Sequence, residues 1–492
     1  MKLPKLQKVD TSNPRVKKKK ILLLSDDMRM HSGVATMSRE LVIGTCDQYD
    51  WVQLGGAIKH PDEGKVIDIS ADIRKQTGVG DASVVVYPIS GYGNQEILRE
   101  IIHREQPDAI MHFTDPRFWV WLYQMEHELR QTTPIIYYTI WDDLPFPHYN
   151  EPYYESCDLL MGISKQSANI VRNVVRKRPK EDWQVTYVPH GVNEKQFVPI
   201  REGHKDYPEL QAFKQKVLQD KEYKFVLLYN NRNIRRKNPG DIVLAYKTFV
   251  DSLPEDERGE ALLVMKTDPI DNNGTDLHAV VSAVCPDYRV IFLQDKFSGK
   301  EMNFLYNISD VTINMASNEG FGLGTCESLM AGTPIVVNVT GGLQDQCGFK
   351  KEDGAFVTID DFDENWSSNH DARFKKHGNW VEPIFPTNRS LAGSPPTPYI
   401  FDDRCTWEDA AIAIKKWYDK TPAQREKAGD AGRKFVLSKE AGMSASSMCS
   451  RMKHDVGALF TKWTPRKRFE LFNTTEYFAE ASKPTGISPT IK

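Results

Sequence analysis

Two α/β units, each a parallel sheet wrapped by helices, are the fold this sequence predicts. Three observations carry that reading. Short apolar runs rich in Val, Ile and Leu alternate with helix-length amphipathic segments in two successive series. A chain of 492 residues exceeds what one hydrophobic core organises, so two domains are expected. Glycines and cations gather where predicted strands end, the side on which open α/β sheets bind ligands.

The first series begins with the strand 20–25, whose Ile21-Leu22-Leu23-Leu24 core is too short for a signal peptide or a membrane span. It enters a turn over 26–33, and a helix follows over 34–45. Further strands are predicted at 51–54, 84–87, 109–112, 135–140, 159–162 and 185–188, with helices at 95–104, 117–130 and 165–176. Residues 194–222 are polar, carry Pro199 and Pro208, and read as an irregular connection. The second series has strands at 224–229, 261–266, 290–293, 311–315 and 335–338. Its helices fall at 239–253, 300–308 and 325–331. Residues 358–404 read as an insertion loop, and helices return at 407–420 and 422–437. The expected division is an N-terminal Rossmann-like domain over 1–195, a C-terminal one over 196–442, and a helical segment with tail over 443–492.

The net charge of −3 excludes a chain that binds nucleic acid through its overall charge, although local basic tracts remain. Seven scattered cysteines with no C-x-x-C pair predict reduced thiols, a cytoplasmic setting and no zinc site. No apolar run approaches the ~18 residues of a transmembrane helix, so none is expected.

The most informative stretch is Ser317-Asn318-Glu319-Gly320-Phe321-Gly322-Leu323-Gly324-Thr325-Cys326-Glu327. A strand leads in, a glycine-rich turn follows, and a helix begins. That geometry presents backbone N–H groups to an anionic or polyhydroxy ligand. Two glutamates at this spacing alone are ordinary solvated helix charge. The turn between them, and the following Ala331-Gly332-Thr333-Pro334-Ile335-Val336-Val337, make a site the stronger reading. A second strand end carries Arg232, Arg235, Arg236 and Lys237, suited to a diphosphate because guanidinium forks to phosphate oxygens and ammonium adds a point charge. Gly33 opens the first helix where backbone approaches a ligand, and His190-Gly191-Val192-Asn193 closes the first series.

These segments resemble the retaining GT-B glycosyltransferases of family 4, the group 1 type, over roughly residues 20–440. The resemblance implies a GT-B fold, two Rossmann-like doubly wound domains facing across a cleft. It implies transfer of a sugar from a nucleotide-diphosphate donor, expected to be a UDP-sugar, with no metal required. Arg232 and Lys237 keep the family's R-x4-K spacing and would hold the diphosphate, although Asn231 replaces the usual glycine. Glu319 would meet the donor sugar hydroxyls, helped by the N–H groups of Gly320, Phe321 and Gly322. Glu327 would accept from the ribose, and Gly33 would lie beside the phosphates. The terminal helix over 443–472 is expected to cross back to the first domain, and the cleft to close through 192–200.

The chain departs from the family at Trp141, which stands where histidine is common. A donor without a C6 hydroxyl, such as a pentose, would tolerate it, and plain core packing of the indole is the alternative. Asp142, beside Asp143, is the expected acceptor-orienting catalytic carboxylate, with helix capping as the alternative. Basic tracts at 17–20, 172–180 and 466–468 point to a phosphate-rich acceptor. Segments 31–40, 53–61 and 115–121 resemble glycosyltransferases of large tailed phages. Together these make DNA with a hydroxymethyl base one candidate acceptor, in a host cytoplasm if the chain is phage-encoded. Glycan, lipid or protein acceptors, and a non-catalytic binding module, are the alternatives.

Overall fold

The computed structural model describes residues 17–175, 180–219 and 221–469. The first unit has eight strands: β1 (Lys19–Asp26), β2 (Tyr49–Ala57), β3 (Ile67–Asp68), β4 (Val84–Ser90), β5 (Ala109–Phe113), β6 (Ile135–Thr139), β7 (Leu159–Gly162) and β8 (Val185–Tyr187). They form one sheet in the order β3-β4-β2-β1-β5-β6-β7-β8, parallel except for β3. The second unit has β9 (Phe225–Asn230), β10 (Ala261–Lys266), β11 (Val290–Leu293), β12 (Val311–Asn314), β13 (Ile335–Asn338) and β14 (Val381–Ile384). All are parallel, in the order β11-β10-β9-β12-β13-β14. A two-stranded antiparallel hairpin, β15 (Asn388–Ser394) and β16 (Thr397–Arg404), stands apart from both sheets.

Both sheets are doubly wound, and the strand sequences show why. Ile21 to Leu24 and Leu227 to Tyr229 are fully buried, as parallel strands covered by helices on both faces must be. Chain order reverses on either side of β1, between β2 and β5, and on either side of β9, between β10 and β12. Such switch points open a crevice at the carboxyl ends of the strands.

The helix Ala445–Lys462 lies against the helix Gly33–Thr45 of the first unit. A Cβ on Gly44 would come 2.3 Å from Cys449 Sγ, so glycine permits the close approach. Val192 N–H donates to Met443 O and Ala445 N–H donates to Val192 O, each at 2.9 Å, which stitches the return helix to the segment after β8.

Several expectations need correction. The connection 194–222 contains the helix Tyr207–Leu218, whose Pro208 sits in the first turn, where its missing N–H costs nothing. The supposed loop 358–404 supplies β14 and the β15–β16 hairpin; its Pro and Gly content hid them. The single helix over 117–130 is a 3₁₀ turn, Pro116–Trp119, followed by the short helices Val120–Gln124 and Glu126–Leu129. The reading also missed β3 and the helices Ser70–Thr77 and Leu277–Val284. Part of the predicted helix 165–176 and of the terminal helix 443–472 lies outside the described residues.

Candidate functional site

The glycine turn after β12 is fixed from several sides. Gly342 N–H donates to Glu319 O at 2.8 Å, and Gln346 Nε2 donates to the carbonyls of Phe321 and Gly322 at 2.6 and 3.0 Å. Gly322 has φ +84°, and a Cβ there would meet Leu343 Cδ2 at 2.5 Å, so only glycine fits. Gly341, not singled out in the sequence, is equally constrained: its Cβ would fall 2.1 Å from Glu319 O. None of the N–H groups of Gly320, Phe321 and Gly322 is used in a backbone hydrogen bond among the described residues. They stand at the start of the helix Leu323–Met330, where the positive end of the helix dipole lies.

Glu319 is buried in an ion pair with Lys237, which comes from the loop after β9. Asn314 Nδ2 donates a further hydrogen bond to the same carboxylate oxygen at 3.3 Å. Burial alone would raise the Glu319 carboxyl, but the charges of Lys237 and Arg236 hold it below the ordinary glutamate value. Burial also pulls the Lys237 ammonium below its ordinary value, against the opposing pull of Glu319. Arg236 ties the two loops together: its guanidinium donates to Asn318 O at 2.6 Å and its carbonyl accepts from Ser317 N–H at 2.8 Å.

Glu327 lies on the second turn of the same helix and accepts from the Tyr306 hydroxyl at 2.7 Å. Tyr306 accepts in turn from Asn230 Nδ2 at 2.7 Å, on the carboxyl end of β9. Burial pushes the Glu327 carboxyl up to about 7, with the Tyr306 hydrogen bond opposing. No sequence motif marked Tyr306 or Asn230 as its partners.

The first unit reaches this turn at several points, among them the His190 ring, which packs edge-on against Phe321 at 5.3 Å, and two close approaches at glycines. A Cβ on Gly320 would come 3.2 Å from Ile140 O and 3.9 Å from Asp142 Oδ2, which puts Asp142 beside the turn. Burial raises the Asp142 carboxyl to about 6; Arg236 pulls it down and Glu319 pushes it up. At the second of these, a Cβ on Gly33 would meet Leu323 Cδ1 at 3.3 Å, so two helix N-termini meet across the interface. Trp141 is buried and packed: its indole N–H donates to Asp143 O at 3.2 Å, and Arg117 covers its ring at 5.5 Å.

Arg232 stands apart from this group. Its side chain is exposed and forks to Asp271, with Nε 2.8 Å from Oδ2. The structure therefore joins Lys237 to Glu319 and leaves Arg232 on the loop's outer side. Six of the described cations in the basic tracts also have partners within the protein. Lys18, Lys19 and Lys20 pair with Asp81, Asp108 and Glu105. Arg172 pairs with Asp360, Arg466 with Glu126, and Lys180 donates to Cys157 O. Residues 176–179 of the 172–180 tract lie outside the described residues. Among the described residues no group of three or more His, Cys, Asp or Glu is placed to hold a metal ion. No helix among them is long and apolar enough to cross a membrane.

Residues 211–364, which include Lys237, Glu319 and Glu327, match the family "Glycosyl transferases group 1". No curated protein matches the chain. Among solved structures, sucrose-phosphate synthase from Thermosynechococcus elongatus superposes with a TM-score of 0.61 at 17% identity, over 90% of this chain and 100% of that one. HepE from Anabaena, in complex with UDP and glucose, gives 0.59 at 12% identity over 90% and 100%. A glycosyltransferase from Rickettsia africae gives 0.58 at 13% identity over 90% and 99%. At these identities the likeness establishes the fold, which is GT-B: two Rossmann-like units meeting at the carboxyl ends of their strands.

Proposed function

We propose that this protein is a retaining glycosyltransferase that moves a sugar from a nucleoside diphosphate, with UDP-sugar the expected donor, to an acceptor hydroxyl. The observation that carries the reading is the buried Lys237–Glu319 pair beside the Gly320–Gly322 turn, at the switch point between β9 and β12. The group 1 match over these residues supports it, as does the UDP held by the Anabaena neighbour.

The chemistry follows from what each group offers. A diphosphate arriving at the helix N-terminus meets the N–H groups of the turn and the Lys237 ammonium. Sharing that charge with phosphate loosens the hold of Lys237 on Glu319, whose carboxylate then accepts from the sugar hydroxyls. Glu327 accepts from the ribose. As the bond from the anomeric carbon to the diphosphate breaks, negative charge grows on the leaving phosphate, where the cation and the dipole lie. The acceptor oxygen bonds the anomeric carbon on the same face, and its proton passes to the leaving phosphate. Asp142, beside Gly320, orients the acceptor hydroxyl. Arg232 joins the diphosphate by leaving Asp271.

The finer acceptor reading, hydroxymethylated DNA of a large tailed phage, draws on the basic tracts. Six of their described cations are paired or hydrogen-bonded within the protein, although the Lys19 and Arg172 pairs lie at the surface, where phosphate competes for them. The test is a panel of UDP-, GDP- and ADP-sugars read by thermal shift, followed by transfer of labelled sugar to hydroxymethylated DNA, oligosaccharide, lipid and protein. Stabilisation by a nucleotide sugar together with transfer supports the reading. Absence of stabilisation by every nucleotide overturns it.

A further inference from the structure

The carboxyl edge of the first sheet carries a second group of side chains that the donor chemistry leaves unused. The segments after β4 and β5 bring Tyr92 and Phe118 together. Their rings are stacked, with centroids 5.1 Å apart and planes at 17°. Behind Tyr92 lies the fully buried Trp119 at 5.4 Å, itself 5.5 Å from Trp121. Phe118 is therefore the outer ring of a stack whose inner rings are locked, and it is 55% exposed. The open face of Phe118 is thus an apolar surface held in place by the rings beneath it.

Asp26, at the end of β1, is in register with Gly56 of β2, and a Cβ on Gly56 would come 3.1 Å from Tyr92 Cδ1, which sets Asp26 one strand away from this stack. It accepts from Ser32 Oγ at 2.7 Å and forms no ion pair among the described residues, the nearby Arg29 being spent on Asp27 and Asp62. Two contacts place the group beside the reaction centre. Ser32 caps the helix of Gly33, where a Cβ would come 3.3 Å from Leu323 Cδ1, and Arg117, next to Phe118, covers Trp141 beside Asp142.

Resting on the transferase reading above, we infer that Phe118 is the stacking platform for the acceptor, and that the acceptor is an uncharged, hydroxylated sugar ring whose hydroxyls donate to Asp26. The apolar C–H face of a sugar ring covers an aromatic ring, while its edge hydroxyls seek carboxylate acceptors. An anionic chain such as DNA would instead bring phosphates towards an unneutralised carboxylate. Phe118 touches the acceptor and positions it; it takes no part in proton transfer.

The test uses the full-length protein, a panel of methyl glycosides of common hexoses and pentoses, and a single-stranded oligonucleotide carrying 5-hydroxymethylcytosine. Binding is read by saturation-transfer NMR with and without UDP. At least one glycoside binds wild type, Phe118→Ala weakens it by about tenfold or more, and Phe118→Trp restores it. Asp26→Asn weakens the same glycoside, and circular dichroism verifies that each variant is folded. The inference is overturned if no glycoside binds under either condition, or if Phe118→Ala binds as wild type does. It is also overturned if only the oligonucleotide binds and Phe118→Ala abolishes that. Glycoside binding that depends on Phe118 in a protein that binds no nucleotide would sustain this site and overturn the donor reading alone.

Discussion

Lys237 and Glu319 neutralise each other inside the protein, although they come from loops after different strands, β9 and β12. A buried pair of this kind is costly to break from one side, because the remaining charge stays without a partner. The pair proposed to meet the donor is thus also a structural clasp between two strand ends.

Loss of the cation and loss of the carboxylate charge should therefore differ. Lys237→Ala leaves the Glu319 carboxylate buried beside Asn314 and should cost about 3–5 kcal/mol in urea unfolding. Glu319→Gln keeps the shape and an oxygen acceptor, and Lys237, whose ammonium burial already pulls down, can shed its proton, so the fold should survive at smaller cost. Transfer should still fall at least about a hundredfold, since the charge proposed to meet the sugar hydroxyls is gone. Wild-type turnover by folded Glu319→Gln would remove Glu319 from the catalytic reading.

Glu327 gives a pH signature. Burial raises its carboxyl from an ordinary 4.5 to about 7. A carboxyl raised in the folded state contributes stability below the unfolded value, and that contribution is lost as pH rises through the folded one. Wild type should lose stability relative to Glu327→Gln between about pH 4.5 and 7, by urea unfolding at intervals across that window. UDP should reverse the trend, because ribose hydroxyls donate best to the ionised form. UDP affinity measured by calorimetry should rise more steeply from pH 6 to pH 8 in wild type than in Glu327→Gln, where only the ionisation of the terminal phosphate remains.

The sequence carried more of the proposed donor site than of the walls around it, for physical reasons. Glu319, Glu327 and the glycines lie on a strand, turn and helix that are contiguous in the chain, so their spacing reports their geometry. Lys237 was legible as a cation at a strand end. Its union with Glu319 needed the pairing of β9 with β12, which no local pattern encodes. Tyr306, Asn230 and Gly341 act through contacts between distant segments and left no motif. Arg232 kept the family spacing, but its direction depends on Asp271, far along the chain. Strand β14 was missed because Pro383 and the surrounding polar residues mask a short edge strand, a position where proline is tolerated.

The β15–β16 hairpin should act as a strap between the two units. Phe401 N–H donates to Leu144 O at 2.6 Å, and Tyr149 Oη donates to Tyr399 O at 2.9 Å. Tyr399 Oη accepts from His148 N–H at 3.2 Å and donates to Phe146 O at 3.3 Å. Tyr399→Phe removes those last two bonds at a cost of about 1 kcal/mol. Amide exchange over residues 144–149 should accelerate roughly fivefold in this variant without ligand, with exchange in β9 and β12 unchanged. Equal exchange at 144–149 in the two proteins would mean that the hairpin does not hold the units together.

Arg232 offers the last test, because the structure holds it away from the place its spacing suggests. Its guanidinium forks to Asp271 on the outer side of the loop, and its side chain is 64% exposed. An exposed pair of this kind is worth at most about 1 kcal/mol, so a diphosphate easily competes for the guanidinium. If Arg232 does turn inward, the Asp271 pair opposes donor binding and its removal should help. Asp271→Asn should then tighten UDP binding by up to about fivefold, while Arg232→Ala should weaken it by about tenfold or more, a charged hydrogen bond being worth roughly 1.5–3 kcal/mol. The double variant should bind like Arg232→Ala alone, because Asp271 matters only through Arg232. Calorimetry on the four proteins reads all three comparisons. Weaker UDP binding by Asp271→Asn would instead mean that the pair orders the loop for the donor, and would leave Lys237 as the phosphate cation of this strand end.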